Sequence, residues 1–315
     1  MIKLFLIRSF VYTPFTQEAD LKYLEKNGLG ITDKITEADI LISQNFKHLK
    51  PFIWRYLKTK NYLVWTLEPR FDITFSSNRK ILMGLHNCYF MNIYTQDVFT
   101  SIFTFHSKNI KNKLSLLNSD FKFKQKKIVA LMSYYKGIDS PLLMRDNKNI
   151  DLINLRSILA LEGNNRGVLD VFGKGWPNNI SKEDSRLGNW PKRKEEILRG
   201  YSFNLCFENT IAYNYVTEKI WDSIGNYCLP IYYGEGTNIY SVFPENSFLD
   251  YSEFDDSDSM FHFVENISKE EYTERMNKCI TVYNSISQKN THFERDEKRK
   301  SLDKIIEKCI AIEKK

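Results

Sequence analysis

Short runs that are apolar through their whole length recur along this chain, and stretches with helical spacing separate them. Residues 2–7, 38–43 and 61–66 are such runs, and residues 17–27 and 49–58 read as the amphipathic helices between them. A strand that meets water on one face alternates apolar and polar residues. A run that is apolar throughout is buried on both faces, as in a parallel sheet covered by helices on either side. Strand, helix, strand in that order restricts the chain to βαβ units and an α/β fold. Residues 88–94 add a further strand, followed by residues 96–99.

A polar, lysine-rich stretch then runs from residue 107 to residue 127. Its composition between apolar segments fits a linker, which places a domain boundary near residue 122. Beyond it the alternation restarts. Strands are expected at 127–133, 168–172, 201–207 and 228–233, with a small one at 248–251. Helices are expected at 151–161, 192–199 and 216–225. The chain closes on helices at 258–267, 269–286 and 294–312. A length of 315 residues is itself a prior for two domains. The economical architecture is two Rossmann-like α/β domains, residues 1–122 and 123–315, facing a central cleft.

Composition removes several classes of function. With 42% hydrophobic and 14% aromatic residues the chain can fill two cores and is unlike a disordered polymer. The net charge of +6 is modest, and basic residues are interleaved with acids instead of striped, which excludes a nucleic-acid partner. Cys88, Cys206, Cys228, Cys279 and Cys309 show no CxxC or Cys/His metal spacing. They read as buried thiols in a reducing compartment. The first apolar run is too short for a signal peptide core and is broken by Lys3 and Arg8. No segment approaches the roughly 20 apolar residues of a membrane helix. The expectation is a soluble cytoplasmic protein. A peripheral membrane contact through residues 292–315 stays open, although Ile305, Ile306, Ile310 and Ile312 favour packing of that last helix back on the N-terminal domain.

Residues 201–234, YSFNLCFENTIAYNYVTEKIWDSIGNYCLPIYYG, concentrate the chemistry. They read as a strand, a polar turn, a short helix and a second strand. Glu208, Asn209, Tyr213, Tyr215, Glu218 and Lys219 gather where the strand ends and the helix begins. In an open α/β sheet, ligands bind at the carboxyl ends of strands. Free N–H groups at a helix start attract phosphate, and Lys219 adds a point charge. Glu218 could accept from both hydroxyls of a ribose, while Tyr213 and Tyr215 offer a stacking face and a phenol. Each feature also has a plain structural explanation: Thr217 can cap the helix, and Glu208-Asn209 can be a simple strand exit. Gly234 and Gly236 mark another tight turn at the same edge. There is no GxGxxG fingerprint and no Walker A loop, so a dinucleotide or an ATP motor is a poor fit.

This stretch, with VFPENSFLDYSEF after it, resembles the signature of the α-1,3/α-1,4-fucosyltransferases, glycosyltransferase family 10. FNLCFEN, YVTEK, PIYYG and SFLDYSEF occur in the family's order at close to its spacing. The resemblance implies a GT-B fold, with GDP-β-L-fucose bound by the C-terminal domain and the acceptor by the N-terminal one, and inversion at the anomeric centre. It implies that Asn209, Tyr215, Glu218 and Lys219 contact the donor, with Glu208 and Tyr213 as possible additional donor contacts. Lys219 would meet the diphosphate and Glu218 the ribose or the fucose. Upstream, NLRSILALEGNNRGVLDVFGKGW resembles the family segment with a phosphate-binding arginine, which maps to Arg156. Arg166 and Arg193 are the fallbacks. The bland alternative for Arg156 is a solvated helix charge.

Transfer to a hydroxyl needs a general base. The run at 61–66 ends in Leu67-Glu68-Pro69, a carboxylate at a strand's end with a proline behind it. The family's proposed base is a glutamate after such a strand, commonly in a Glu-Ser-Pro setting, so the resemblance implies Glu68. EPRFD departs from that setting and puts the extra charges Arg70 and Asp72 near the acceptor. Asp72 and Asp97 are the competing carboxylates, and an exposed loop acid is the plain alternative. No Asp-x-Asp metal motif stands in the nucleotide-binding half; Asp256-Ser257-Asp258 lies in an acidic, solvated run. Arg156, Lys219 and helix amides would meet the leaving diphosphate's charge, so no metal or other cofactor is required and Mn²⁺ or Mg²⁺ would at most stimulate. The partners expected are a GDP-sugar donor and an oligosaccharide or glycan acceptor. The rivals are a GT-B transferase using another GDP-linked sugar and a non-catalytic sugar-nucleotide or glycan-binding module.

Overall fold

The computed structural model describes residues 1–8, 10, 14–56, 59–71, 76–98, 110, 112–134, 143–184 and 188–314, and, of these, all side chains but those of residues 71, 178, 288–294 and 297. By its internal contacts the chain forms two units. The first takes Met1–Thr104, Ala212–Asn214 and His292–Lys315. The second takes Phe105–Ile211 and Tyr215–Thr291.

In the first unit the apolar runs become strands. Along the chain come β1 (Ile2–Leu6), α1 (Glu18–Lys26), β2 (Leu29–Ile31), β3 (Ile40–Ser43), α2 (Phe46–Arg55), β4 (Asn61–Trp65), β5 (Asn78–Ile81) and β6 (His86–Met91). They pair in the order β2-β1-β3-β4-β6-β5. All neighbours are parallel except β5 and β6, which form an antiparallel edge. One core packs Leu41, Tyr62, Val64 and Phe90 from the sheet against Leu49 and Ile53 of α2. Each such side chain taken out of water contributes roughly 1.5–3 kcal/mol. Asn45 sets the start of α2 by accepting from the Lys47 N–H at 2.9 Å. Strand order reverses between β1 and β3, which makes their carboxyl ends the topological switch point of this sheet.

The second unit repeats the plan. It contains β7 (Gln125–Leu131), a small hairpin of β8 (Met144–Arg145) and β9 (Lys148–Asn149), α3 (Ile153–Arg166), β10 (Leu169–Phe172), α4 (Trp190–Leu198), β11 (Tyr201–Leu205), α5 (Glu218–Gly225), β12 (Leu229–Tyr232), β13 (Leu249–Asp250), α6 (Ser257–Asn266) and α7 (Lys269–Glu313). Its main sheet is wholly parallel, in the order β10-β7-β11-β12-β13. The switch point lies between β7 and β11, and the loops after those strands occupy the ligand-binding edge. Each unit is a doubly wound α/β sheet, the construction of a GT-B protein.

Two sequence expectations end differently. The stretch at residues 107–127, expected as a linker with the domain boundary near residue 122, groups with the second unit, which begins at Phe105. Its backbone is held there: Asn284 and Asn277 accept from the N–H groups of Leu114 and Leu117 at 2.8 Å. Phe121 stacks on the buried Tyr272 ring at 5.0 Å. The two helices expected after residue 268 are one continuous helix of 45 residues. The polar stretch at residues 287–292 suggested a break, but no glycine or proline stands between Lys269 and Glu313 to make one. This helix supplies its residues up to Thr291 to the second unit and those from His292 to the first. Among the described residues no helix is long and apolar enough to cross a membrane.

Candidate functional site

The carboxyl edge of the second sheet is built around Glu208. The residue leaves β11 buried, 2% exposed. A buried carboxylate is costly unless its oxygens are satisfied, and here they are. Oε1 accepts from the Thr217 N–H at 2.8 Å and the Thr217 hydroxyl at 2.7 Å. Oε2 accepts from the Lys219 ammonium at 2.7 Å. The buried Tyr232 hydroxyl donates to Oε1 at 3.4 Å. Thr217 therefore does not cap α5 with its own side chain, as its place in the sequence suggested. Its hydroxyl and its N–H both go to Glu208, which pins the start of α5 to the end of β11.

Lys219 sits on the first turn of α5, with Glu208 at 2.7 Å and Glu218 at 3.6 Å. Burial alone would lower its pKa. The two carboxylates outweigh that and hold it above the ordinary lysine value, against the opposing charge of Arg156. The ammonium stays charged at neutral pH. Glu218 is half-exposed at 40% of its side chain. Arg156, one turn into α3, donates to the Phe207 carbonyl at 3.3 Å. The Asn209 carbonyl accepts from the Leu152 N–H at the start of the same helix. Thus Arg156, Glu208, Asn209, Glu218 and Lys219 are gathered at the ends of β11, α3 and α5. Tyr215 joins them as backbone, since its carbonyl accepts from Tyr232 while its ring is buried. Tyr213 is not gathered; it is exposed, and Ala212–Asn214 group with the first unit.

The fallback arginines are committed elsewhere. Arg193 holds Glu183 through two nitrogens, at 2.6 and 2.8 Å, and Glu196 at 3.1 Å. Arg166 pairs with Asp258 and Glu265 at the far end of α3. Asp256 caps α6, so the acidic run has a local structural task.

Two residues that sequence reasoning missed shape this edge. Tyr232, inside PIYYG, adds the fourth donor to Glu208. Asp250, inside SFLDYSEF, binds the turn after β12. Its carboxylate accepts from the Gly234 N–H, the Ser252 N–H and hydroxyl, and the Tyr240 hydroxyl, all between 2.7 and 2.9 Å. A Cβ on Gly234 would stand 2.2 Å from Asp250 Oδ2, so the turn requires glycine for close approach. The signal for both lay in the motifs, where only the short polar residues of the turn drew notice. Cys206, next to Glu208 in sequence, is inert: burial pushes its thiol up to about 12.

In the first unit Glu68 follows β4, half-buried, with its N–H donating to the Thr66 hydroxyl at 3.1 Å. Pro69 opens a short 3₁₀ turn, Pro69–Phe71. Of the competing carboxylates, Asp97 is paired with Lys308 at 2.6 Å, and Asp72 lies outside the described residues. Among the described residues no group of three or more His, Cys, Asp or Glu side chains is placed to hold a metal ion.

The profile of the family described as Glycosyltransferase family 10 (fucosyltransferase) C-term matches residues 156–309, from Arg156 through α7. Those residues belong to glycosyltransferase family 10. The chain is 41% identical over 78 residues to an α-(1,3)-fucosyltransferase, FucT, of Helicobacter pylori, a match covering 25% of this chain and 16% of the relative. It is 28% identical over 104 residues to an α-(1,4)-fucosyltransferase of Arabidopsis thaliana, covering 33% and 25%. The matches thus span a quarter or less of these curated relatives. The fold is shared with a DNA-modifying β-glucosyltransferase, at a TM-score of 0.51 and 10% identity, over 96% of this chain and 99% of the other.

Proposed function

We propose that this chain is an inverting fucosyltransferase that moves L-fucose from GDP-β-L-fucose to a hydroxyl of an acceptor glycan, in α-1,3 or α-1,4 linkage. One observation carries this conclusion. The family 10 match takes in Arg156, Asn209, Tyr215, Glu218 and Lys219 together, and all five stand at one edge of one sheet. The second unit takes the donor. Arg156 and the Lys219 ammonium meet the diphosphate, and Glu218 accepts from the ribose or fucose hydroxyls. Glu208 acts without touching the donor: it holds Lys219 and the start of α5 in place.

The first unit takes the acceptor, with Glu68 as general base. Glu68 accepts the proton of the acceptor hydroxyl as that oxygen forms its bond to C1 of fucose. The bond from C1 to the β-phosphate oxygen breaks, and its electron pair leaves with GDP. Removing one group that stabilises such a developing charge typically costs two to three decades in rate.

The test is a transfer assay with GDP-fucose and a panel of lactosamine-type and other acceptors, read by mass for a fucose-sized increment. Glu68→Gln should leave GDP affinity unchanged and lower transfer by roughly 10²–10⁴-fold. Normal turnover by that variant removes Glu68 as the base. An increment only from another GDP-linked sugar replaces fucose as the donor sugar.

A further inference from the structure

We propose that the first unit carries an anion-binding subsite, built on Arg8 and His48, that recognises a carboxylate or phosphate group on the acceptor sugar. The proposal rests on the assignment of the acceptor to this unit. Arg8 follows β1, Ser43 ends β3 and His48 lies on the first turn of α2 after it, so the group stands at the switch point of the first sheet, where open α/β sheets bind ligands.

Arg8 is exposed and adopts a left-handed backbone, φ 64°, which a non-glycine residue rarely accepts without a reason. Its guanidinium donates to His48 Nε2 at 3.1 Å. With that nitrogen accepting, the ring proton sits on Nδ1, which faces the buried Ser43 hydroxyl at 3.5 Å. Ser43 Oγ also accepts from the Asn45 N–H. The imidazole is therefore neutral, and its surroundings keep it so. Burial, then Arg8 on the loop after β1, then Lys47 on α2 itself all lower its pKa, and Ser43 on β3 brings no charge.

Among the described residues no carboxylate pairs with Arg8, whereas Arg166 and Arg193 each hold two. A guanidinium carries five N–H donors in a fork matched to carboxylate and phosphate. One of them is spent on a neutral ring. An arriving anion would find the remaining donors, a second cation in Lys47, and a histidine that gains by protonating. Strands β1, β3 and β4 are consecutive neighbours. Adjacent strands lie about 4.8 Å apart, so the subsite, spread over the ends of β1 and β3, stands about 5–10 Å along the edge from the end of β4 that leads to Glu68. That is the span of a short oligosaccharide, and it places the charged group on a sugar near the one that receives transfer.

The experiment follows the His48 ring by NMR, with its signals assigned by their loss in His48→Gln. Glucuronate, glucose 6-phosphate and glucose are the probes, and GDP binding is measured calorimetrically on the same samples. The acidic sugars should shift His48 saturably toward protonation, and glucose should not. Arg8→Gln should weaken the acid response at least tenfold with the fold intact, since Arg8 is exposed. The tighter of the two acids identifies carboxylate or phosphate as the natural group. An equal shift with glucose, or a full acid response in Arg8→Gln, overturns the proposal. GDP binding without any acid response removes the subsite and keeps the donor assignment; an acid response without GDP binding does the reverse.

Discussion

The two sheet edges settle their charges in opposite ways. At the second, the buried carboxylate has its answer inside the protein: Glu208 is buried beneath Lys219, two donors of Thr217 and Tyr232. At the first, Arg8 rests on a neutral imidazole. The second edge is organised before any ligand arrives, and the first leaves its cation for the ligand to answer. Internal pairing also demands specific residue types at specific spacings, which is why the second edge is written as a motif and the first is not.

The contrast predicts different responses to mutation. The largest expected effect is on stability at the second edge. Glu208→Ala strands a largely buried ammonium and orphans the Thr217 N–H, and should cost about 3–5 kcal/mol in urea unfolding. Arg8→Ala should stay within about 0.5 kcal/mol. Equal losses would erase the difference between the edges. Next, Gly234→Ala drives a methyl group into Asp250 and should cost about 1–3 kcal/mol in the same assay. Arg193→Ala should cost far less than either, because its pairs are partly exposed and screened. A larger loss would mean that the second unit depends on its surface pairs as much as on its buried one.

The smallest effect is a pH slope. The folded His48 pKa lies below the ordinary value of 6.5, so the unfolded chain binds the proton more readily. Stability should fall as pH drops below about 6.5 toward the folded value, and His48→Gln should flatten that slope. A slope unchanged in His48→Gln would assign it to other groups.

Much of the fold was legible because fully apolar runs between amphipathic helices leave little choice but two parallel sheets. The antiparallel strand β5 was not, since Asn78, Arg79 and Lys80 are exposed and carry no apolar pattern. The hairpin of β8 and β9 is two residues long on each side, too short for any periodicity. At the site, residue types were legible and burial was not. Glu208 looked like an open ligand beside Asn209, because a sequence places a carboxylate at a strand end without saying which donors surround it. Arg8 and His48 are 40 residues apart and meet only through the pairing of β1 with β3, so no local pattern joins them.

The helix α7 sets the timing of synthesis against the order of the chain. Domains generally fold as units while they emerge from the ribosome, the N-terminal one first. Here the first unit is finished by residues made after the whole of the second. Tyr23 donates to Asp303, Ser301 to the Val98 carbonyl, Lys308 pairs with Asp97, and Leu302, Ile305 and Cys309 are buried. Until residues 292–315 emerge, the sheet that starts at Ile2 lacks part of its cover. The second unit, begun later, is complete by Thr291. A nascent chain halted before residue 292 should therefore show its first unit open to protease and its second unit resistant.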